Sequence, residues 1–369
     1  MQDTIDSLTE RGLPTALCIT GGGSGAIDTL LRYGGASSFF LEAQVPYCPA
    51  SIEQYLGGYT PDQYCCGSTA RMLATSAYER ACALTGCSLN TIGVGATSKL
   101  GKVGPEREGR KHIVYVAVHG PNQTTTTRMT LGLPRGREYE ETLAAQCIVK
   151  TYCDHLGVPC LPPAIVKDYD TVERAHAHID WAPFQGIKCI SPRHNEIGKR
   201  PTIFSGSFNP VHPGHIKVAE QAYEITHQPV WFEISIRNCS KPMVDWLSID
   251  ERVRGLSHHF DNPAIAGVVI THAPLFVDKA AIFHEPTFVV GMDTMERIDN
   301  ESMYYSRNDY VDAINFLIRS KSQFLAFDRR GTNKPKHFNH AGLNSICTFV
   351  NDYRDAGESS TQVRQQHGE

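Results

Sequence analysis

Ten consecutive residues, Gly206-Ser207-Phe208-Asn209-Pro210-Val211-His212-Pro213-Gly214-His215, combine the types that handle a phosphate. Gly206 permits a turn and a close approach of backbone to a ligand. Pro213 suits the first position of a helix, where its missing N–H costs least. Gly214 leaves room where a phosphate would come near. The three-residue step from His212 to His215 sets both imidazoles on one face of the first helical turn. Two imidazoles, the unpaired amides and the positive end of the helix dipole together make an anion site. A His-x-x-His pair can also hold a metal ion, and a short His-x-Gly-His is often only a turn; here the flanking strand and helix patterns favour the phosphate.

Those flanking elements are a buried strand at 202–205 and a helix at 215–226. The alternation continues with a strand at 230–236, a helix at 248–260, strands at 267–271 and 287–290, a helix at 308–320 and a strand at 324–327, then an irregular tail. Upstream, helices are expected at 2–11, 26–33, 69–84 and 139–156, and strands at 91–94 and 113–118. The run of threonines at 124–127 suits a hairpin or loop. Residues 161–199 lack sustained periodicity and read as a linker with one short helix at 171–178. The expectation is an α/β protein of two domains, 1–160 and 200–369, each on a mainly parallel sheet.

At 369 residues the chain is long enough for about two to three domains. Its 35 Lys and Arg against 39 Asp and Glu leave a formal charge of −4, which argues against a generic basic nucleic-acid binder. Apolar residues at 41% and charged residues at 20% suit a globular protein. Apolar runs such as 113–118 fall far short of the roughly 20 residues of a membrane span. The opening MQDTIDSLTERG has mixed charge and no apolar stretch, unlike a secretory or transit signal, so a cytoplasmic location is expected. The 12 cysteines then read as free thiols, mostly small buried hydrophobes. Cys65 and Cys66 lack a second pair at zinc-site spacing, and no protein-held metal is expected.

The histidine loop resembles the signature of the nucleotidylyltransferase superfamily with His-x-Gly-His, which includes nicotinate/nicotinamide mononucleotide, phosphopantetheine and cytidylyl transferases. Other stretches agree in order. Lys241-Pro242 with Leu247-Ser248-Ile249-Asp250-Glu251-Arg252 resembles the family's lysine loop and the helix start after it. Gly291-Met292-Asp293-Thr294 resembles its Gly-x-Asp element, and Ser359-Ser360-Thr361-Gln362-Val363-Arg364 its C-terminal motif. The resemblance implies a Rossmann-like doubly wound parallel sheet and transfer of a nucleoside monophosphate from a triphosphate to a phosphate acceptor, with release of pyrophosphate. On that pattern the catalytic candidates are His215 at the α-phosphate, His212 at the triphosphate and Lys241 as a mobile charge. Gly206, Ser207, Phe208, Asn209, Gly214, Gly291 and Asp293 would bind the nucleotide, with Ser360, Thr361 and Arg364 on the β- and γ-phosphates. ATP is favoured over CTP as the donor substrate, since the C-terminal motif begins Glu358-Ser-Ser-Thr and lacks a cytidylyltransferase-type Arg-Thr-x-Gly-x-Ser-Thr, and Mg2+ would be held through the donor's phosphates. Plainer readings stand beside these: Lys241 as a surface lysine, Asp293 as a helix cap, Arg364 as part of a frayed tail, Arg329 and Arg330 as solvated charges rather than triphosphate contacts. Phe208-Asn209-Pro210 with two histidines is nearer the nicotinate/nicotinamide mononucleotide branch than the phosphopantetheine branch, which implies a step in NAD biosynthesis.

Residues 1–160 resemble the C-terminal domain of CinA, an α/β sandwich with the nicotinamide mononucleotide deamidase fold. The carriers are Thr20-Gly21-Gly22, Gly35-Ala36-Ser37-Ser38, Val45-Pro46-Tyr47 and the loop Gly93-Val94-Gly95-Ala96-Thr97. The resemblance implies a site of Ser37, Tyr47, Gly21, Gly22, Gly95 and Thr97, with Ser37 as nucleophile and a lysine five residues after the tyrosine as its activator. That position is Ile52, which takes no proton. Lys99 and Lys102 are the bases that could replace it; Cys18 and Cys48 are rival nucleophiles or simply buried thiols. The domain reads as a degenerate deamidase whose glycine loops could still cradle a phosphate. Small-molecule nucleotides, and at most further copies of the chain, are the partners expected, with neither nucleic acid nor membrane. The alternatives to an adenylyltransferase are a non-catalytic nucleotide sensor, a transferase for another phosphorylated acceptor, and a bifunctional enzyme that also deamidates nicotinamide mononucleotide.

Overall fold

The computed structural model describes residues 1–369 apart from 103, 105, 107, 161–166, 168, 169, 183, 185, 240, 329–337 and 351–369. The chain divides into two α/β units, Met1–Pro183 with Ser240–Asp250, and Phe184–Cys239 with Glu251–Glu369.

The first unit runs α1 (Gln2–Arg11), β1 (Thr15–Thr20), α2 (Gly25–Leu31), β2 (Phe40–Gln44), α3 (Pro49–Tyr55), α4 (Gly67–Thr85), β3 (Ile92–Lys99), β4 (His112–His119), β5 (Gln123–Leu131), α5 (Arg137–Leu156) and β6 (Thr171–His178). Its sheet has the order β2-β1-β3-β4-β5-β6. Strand β1 lies parallel to β2 and β3, whereas β3 to β6 pair antiparallel, so the expectation of a mainly parallel sheet fails here. β1 is buried throughout because both faces are covered. Leu17 and Ile19 join a core with α1, α2 and α5, while Ala16 and Cys18 face Ile52, Leu73 and Ala77 on the side of α3 and α4.

Three local expectations are corrected in this unit. The stretch Gly93 to Thr97 is part of strand β3, not a loop. Its glycines serve helix packing: a Cβ on Gly93 or Gly95 would sit closer than 3.0 Å to the backbone of α4 at Ala74 and Tyr78 or at Ala70, Leu73 and Ala74. The threonines at 124–127 lie in β5, the second strand of the antiparallel hairpin β4–β5 whose turn falls at 120–122, so the hairpin holds and the loop does not. Residues 171–178 form strand β6 rather than a helix; exposed over most of its length on the sheet's edge, it shows no apolar alternation in its sequence.

The second unit runs β7 (Ile187–Ile190), β8 (Thr202–Ser205), α6 (Pro213–Thr226), β9 (Val230–Ser235), the larger part of α7 (Trp246–Ser257), β10 (Ile265–Thr271), α8 (Phe276–Ile282), β11 (Thr287–Gly291), α9 (Met292–Ile298), α10 (Arg307–Arg319), β12 (Gln323–Phe327), α11 (Leu343–Ile346) and β13 (Cys347–Val350). The sheet order is β13-β12-β11-β8-β9-β10-β7, parallel except for β7, which pairs antiparallel with β10. Residues 161–199, expected as a linker, thus contribute a strand to each sheet. Ile203, Trp231, Phe288 and Val290 pack on one face with α8, α9 and α10, while Phe204 and Phe232 meet Phe208 on the other. Strand order reverses at β8, whose successors go to one side (β9, β10) and then to the other (β11, β12, β13). The carboxyl ends of β8 and β11 flank this reversal, the place where sheets of this kind bind ligands.

Candidate functional site

The histidine loop leaves the carboxyl end of β8 at this reversal. Gly206 N donates to Glu233 O of β9 at 3.1 Å, which holds the loop's start against the sheet. The reason for glycine at 206 differs from the one read in the sequence: a Cβ there would lie 2.7 Å from the Phe208 ring. Phe208 has a positive φ of 45°, a conformation costing about 1–3 kcal/mol for a non-glycine residue. Its ring, 1% exposed, packs against Phe204, Phe232 and His215 and keeps the backbone in that state. Phe208 therefore shapes the loop from within the core. Ser207 is exposed, Asn209 half-buried and Gly214 buried in the first turn of α6.

His212 is the N-cap of α6 and His215 its third residue. Their rings lie 3.7 Å apart between centroids, tilted by 33°, and both residues are buried. His212 N donates to His215 Nδ1 at 3.2 Å. Because Nδ1 accepts this bond, the proton of a neutral His215 ring is on Nε2, which makes Nε2 a donor. An N–H donor at the start of a 14-residue helix adds to the partial positive charge already there.

At the neighbouring strand end, Gly291 is the N-cap of α9 and Asp293 lies in its first turn. Asp293 is not the cap residue. Its carboxylate is 70% exposed and accepts from Arg297 Nη2 at 2.9 Å. Lys241 is described with the first unit: it is exposed, and its Nζ stands 5.3 Å from the centroid of the Tyr59 ring. Ser360, Thr361 and Arg364, like Arg329 and Arg330, lie outside the described residues.

The first unit handles its glycine turn differently. Gly21 has φ 76° and leaves no room for a Cβ beside Ser98 O. The next amides, Gly23 N and Ser24 N, donate to Glu141 Oε1 at 2.7 and 2.9 Å, and Arg137 Nη2 donates to Gly21 O at 3.0 Å. A carboxylate of the protein itself thus occupies the place where a phosphate was expected. Ser98 Oγ donates to Gly22 O, and Thr97, buried in β3, donates to Tyr64 O. Ser37 lies exposed in a short turn at Ala36–Ser38, and among the described residues no hydrogen bond holds its hydroxyl. Tyr47 is 66% exposed. Ile52 is packed in the core with Cys18, Leu56 and Leu73. Lys99 and Lys102 are exposed. Burial pushes the Cys18 thiol far above its ordinary range, so it is inert; Cys48 is exposed ahead of α3.

Sequence reasoning missed Glu141 and a second carboxylate group beside it. Buried His112 meets Glu140 through Nδ1 at 2.7 Å and Glu106 through Nε2 at 2.6 Å, while Glu140 also accepts from Gly101 N and Arg135 N. The only sequence signal was the pair of acids in the first turn of α5, which reads as ordinary dipole compensation.

Residues 203–366 match the family described as cytidylyltransferase-like, and the C-terminal part of the chain carries a domain of that kind. Over 128 residues the chain is 29% identical to the "probable nicotinate-nucleotide adenylyltransferase" of Bacteroides thetaiotaomicron, covering 34% of this chain and 54% of that protein. The chain thus spans about half the length of the curated relative it matches. Among solved structures it is similar to competence damage-inducible protein A of Klebsiella pneumoniae, at 15% identity and a TM-score of 0.35 over 42% of this chain and 93% of that one. A CinA superfamily protein of Escherichia coli is similar at 17% identity and a TM-score of 0.33, over 42% and 88% of the two chains. Among the described residues, no helix is long and apolar enough to cross a membrane.

Proposed function

We propose that the C-terminal domain is a nucleotidylyltransferase that moves AMP from ATP to the phosphate of nicotinate or nicotinamide mononucleotide and releases pyrophosphate. The observation that carries this reading is the pair His212 and His215, stacked at 3.7 Å on the first turn of α6, beside the point where strand order reverses. The likeness to a probable nicotinate-nucleotide adenylyltransferase of Bacteroides supports ATP and a pyridine mononucleotide as the substrates.

In the proposed reaction an oxygen of the acceptor phosphate attacks the α-phosphorus of ATP. A new P–O bond forms there, and the bond to the bridging oxygen of the β-phosphate breaks. The protein positions the reactants and stabilises charge without a covalent intermediate. His215 donates from Nε2 to an α-phosphate oxygen, where negative charge builds in the transition state. His212 and the amides of the first turn hold the triphosphate. Ser360, Thr361 and Arg364 bind the β- and γ-phosphates, and Lys241 supplies a further cation. Imidazole donors do not suit Mg2+, so the ion fits as a partner of the phosphate oxygens and water, where it screens the triphosphate charge. Deamidation is not assigned to the first unit, since Ile52 at the activating position is buried in the core.

Pyrophosphate release from ATP with Mg2+ tests the reading, with nicotinate mononucleotide, nicotinamide mononucleotide and phosphopantetheine offered separately. Release with a pyridine mononucleotide, lost in His215→Ala, is expected. Release only with phosphopantetheine would replace the acceptor. ATP binding with no release from any of the three would favour a nucleotide sensor.

A further inference from the structure

The second unit buries an ion pair that has no part in the transfer chemistry given above. Glu233 of β9 is fully buried and Lys279 of α8 is 5% exposed. Lys279 Nζ donates to Glu233 Oε2 at 2.6 Å, and Thr271 Oγ1, at the end of β10, donates to Oε1 at 2.6 Å. The same ammonium stands 5.4 Å from the centroid of the Phe276 ring on α8. Taking two charges out of water costs more than their attraction returns unless the geometry is good and the remaining polar atoms are met. An apolar pair of like volume often holds a core equally well. A charged pair, however, admits one geometry, because either ion alone is costly to bury.

The place of the pair gives that geometry a use. Glu233 faces Ser205 in the last rung of the β8–β9 ladder, immediately before the histidine loop. Its own carbonyl accepts from Gly206 N at 3.1 Å, where the loop begins. The preceding residue, Phe232, points to the opposite face of the sheet. There it carries the Phe208 ring at 4.9 Å between centroids, and Phe208 in turn packs edge-on against His215. Ser235 Oγ donates to Ala273 O at 2.9 Å and ties the same strand end to the approach of α8. The end of β9 thus bears the loop on one face and is gripped by the ion pair on the other. A misplacement of about 1 Å at a reacting group can cost on the order of 10²-fold in rate, so the strand end that bears the loop must be held more closely than that.

We propose that Glu233, fixed by Lys279 and Thr271, is a positioning residue for the histidine loop: the buried pair sets the end of β9 and, through it, the rings of His212 and His215. The proposal rests on the functional reading given above and lies wholly within the second unit. Both ions act through β9 and need no contact with substrate.

The test uses the full chain and compares Glu233→Gln, Lys279→Met, the double variant Glu233→Leu/Lys279→Met, and Thr271→Val. Denaturant unfolding reads stability, hydrogen exchange of the amides between 206 and 215 reads the hold on the loop, and pyrophosphate release reads the consequence. Each single loss at the pair leaves one ion unmatched, so Glu233→Gln and Lys279→Met should lower the unfolding midpoint, speed exchange in the loop and lower kcat. The double variant removes both charges. Its midpoint should return toward that of the wild type, while kcat stays about 10-fold down with KM for ATP little changed. Thr271→Val keeps both charges and the volume but removes one donor, so it should lower kcat by a smaller factor. It also keeps the test open if the double variant does not fold. Recovery of kcat together with stability in the double variant, or wild-type exchange and kcat in Thr271→Val, would mean that the pair only holds the core; either would overturn the proposal while the transferase stands. A wild-type protein that releases no pyrophosphate removes the functional reading, and the positioning role falls with it.

Discussion

The turns after β1 and β8 both lead from a buried strand through glycine into a helix, and they are filled in opposite ways. In the first, Glu141 from α5 takes the amides of Gly23 and Ser24. In the second, the first helical turn presents two imidazoles stacked on each other, with a buried phenylalanine beneath. A glycine-rich turn therefore does not define a phosphate site by itself. The side chain that fills the turn decides, since a carboxylate satisfies the amides and repels a phosphate, whereas an imidazole N–H adds to the pull on one.

The contrast can be broken most sharply at His215. Its replacement by alanine is expected to lower kcat for pyrophosphate release by about 10²–10³-fold, the usual loss for one transition-state donor. Thermal stability should also fall, because a buried ring and its bond from His212 N are lost, so kcat is compared on protein shown to be folded; an active His215→Ala protein would end the assignment of the second turn. Next in size is Gly95→Val, which drives a side chain into the backbone of α4. Destabilisation of about 3 kcal/mol is expected, read by denaturant unfolding, because backbone cannot give way as a side chain can.

Acid should also separate the two units. Burial holds His119 down to about 4 and His155 down to about 3, the former opposed by Asp245 and the latter reinforced by His119. Unfolding returns both to the ordinary value near about 6.5, so the unfolded chain binds more protons between these limits. The first unit is then fully stable above about pH 6.5 and loses on the order of a few kcal/mol as pH falls through about 4. Exchange of the β4 and β5 amides should rise through that window, and a flat response would mean that both imidazoles titrate normally. The smallest effect is expected from Glu141→Gln, about 1 kcal/mol from weakened bonds to Gly23 and Ser24. Pyrophosphate release should be untouched; a loss there would show that the first turn takes part after all.

Much of this architecture was legible before the structure. Helices such as α1, α4, α5 and α10 and strands such as β4, β8 and β12 carry strong periodicity or β-branched runs, and their expected limits lie within a few residues of those observed. Much of what was missed is short: β2, α3, β7, α8, α9, α11 and β13 are four to seven residues long, too brief to show a period, whereas β5 and β6 are longer but polar in sequence. Gly93 and Gly95 misled because their purpose is the close approach of α4, a fact of tertiary packing absent from their own neighbours in sequence. The same holds for function. The spacing of His212 and His215 is local and could be read, whereas Glu141 reaches its amides from 118 residues away.

Strand β6 has a consequence for behaviour in concentrated solution. Among the described residues it is the outermost strand of its sheet, and an edge of this kind is a template on which another extended chain could add. Glu173, Arg174, His176 and His178 stand exposed along it. An incoming strand would have to bury charge of both signs, from Glu173 and Arg174, and two polar imidazoles with it. The residues that hid β6 from recognition as a strand are those that keep it from recruiting one, so a chain in which they were made apolar would read more clearly and aggregate more readily.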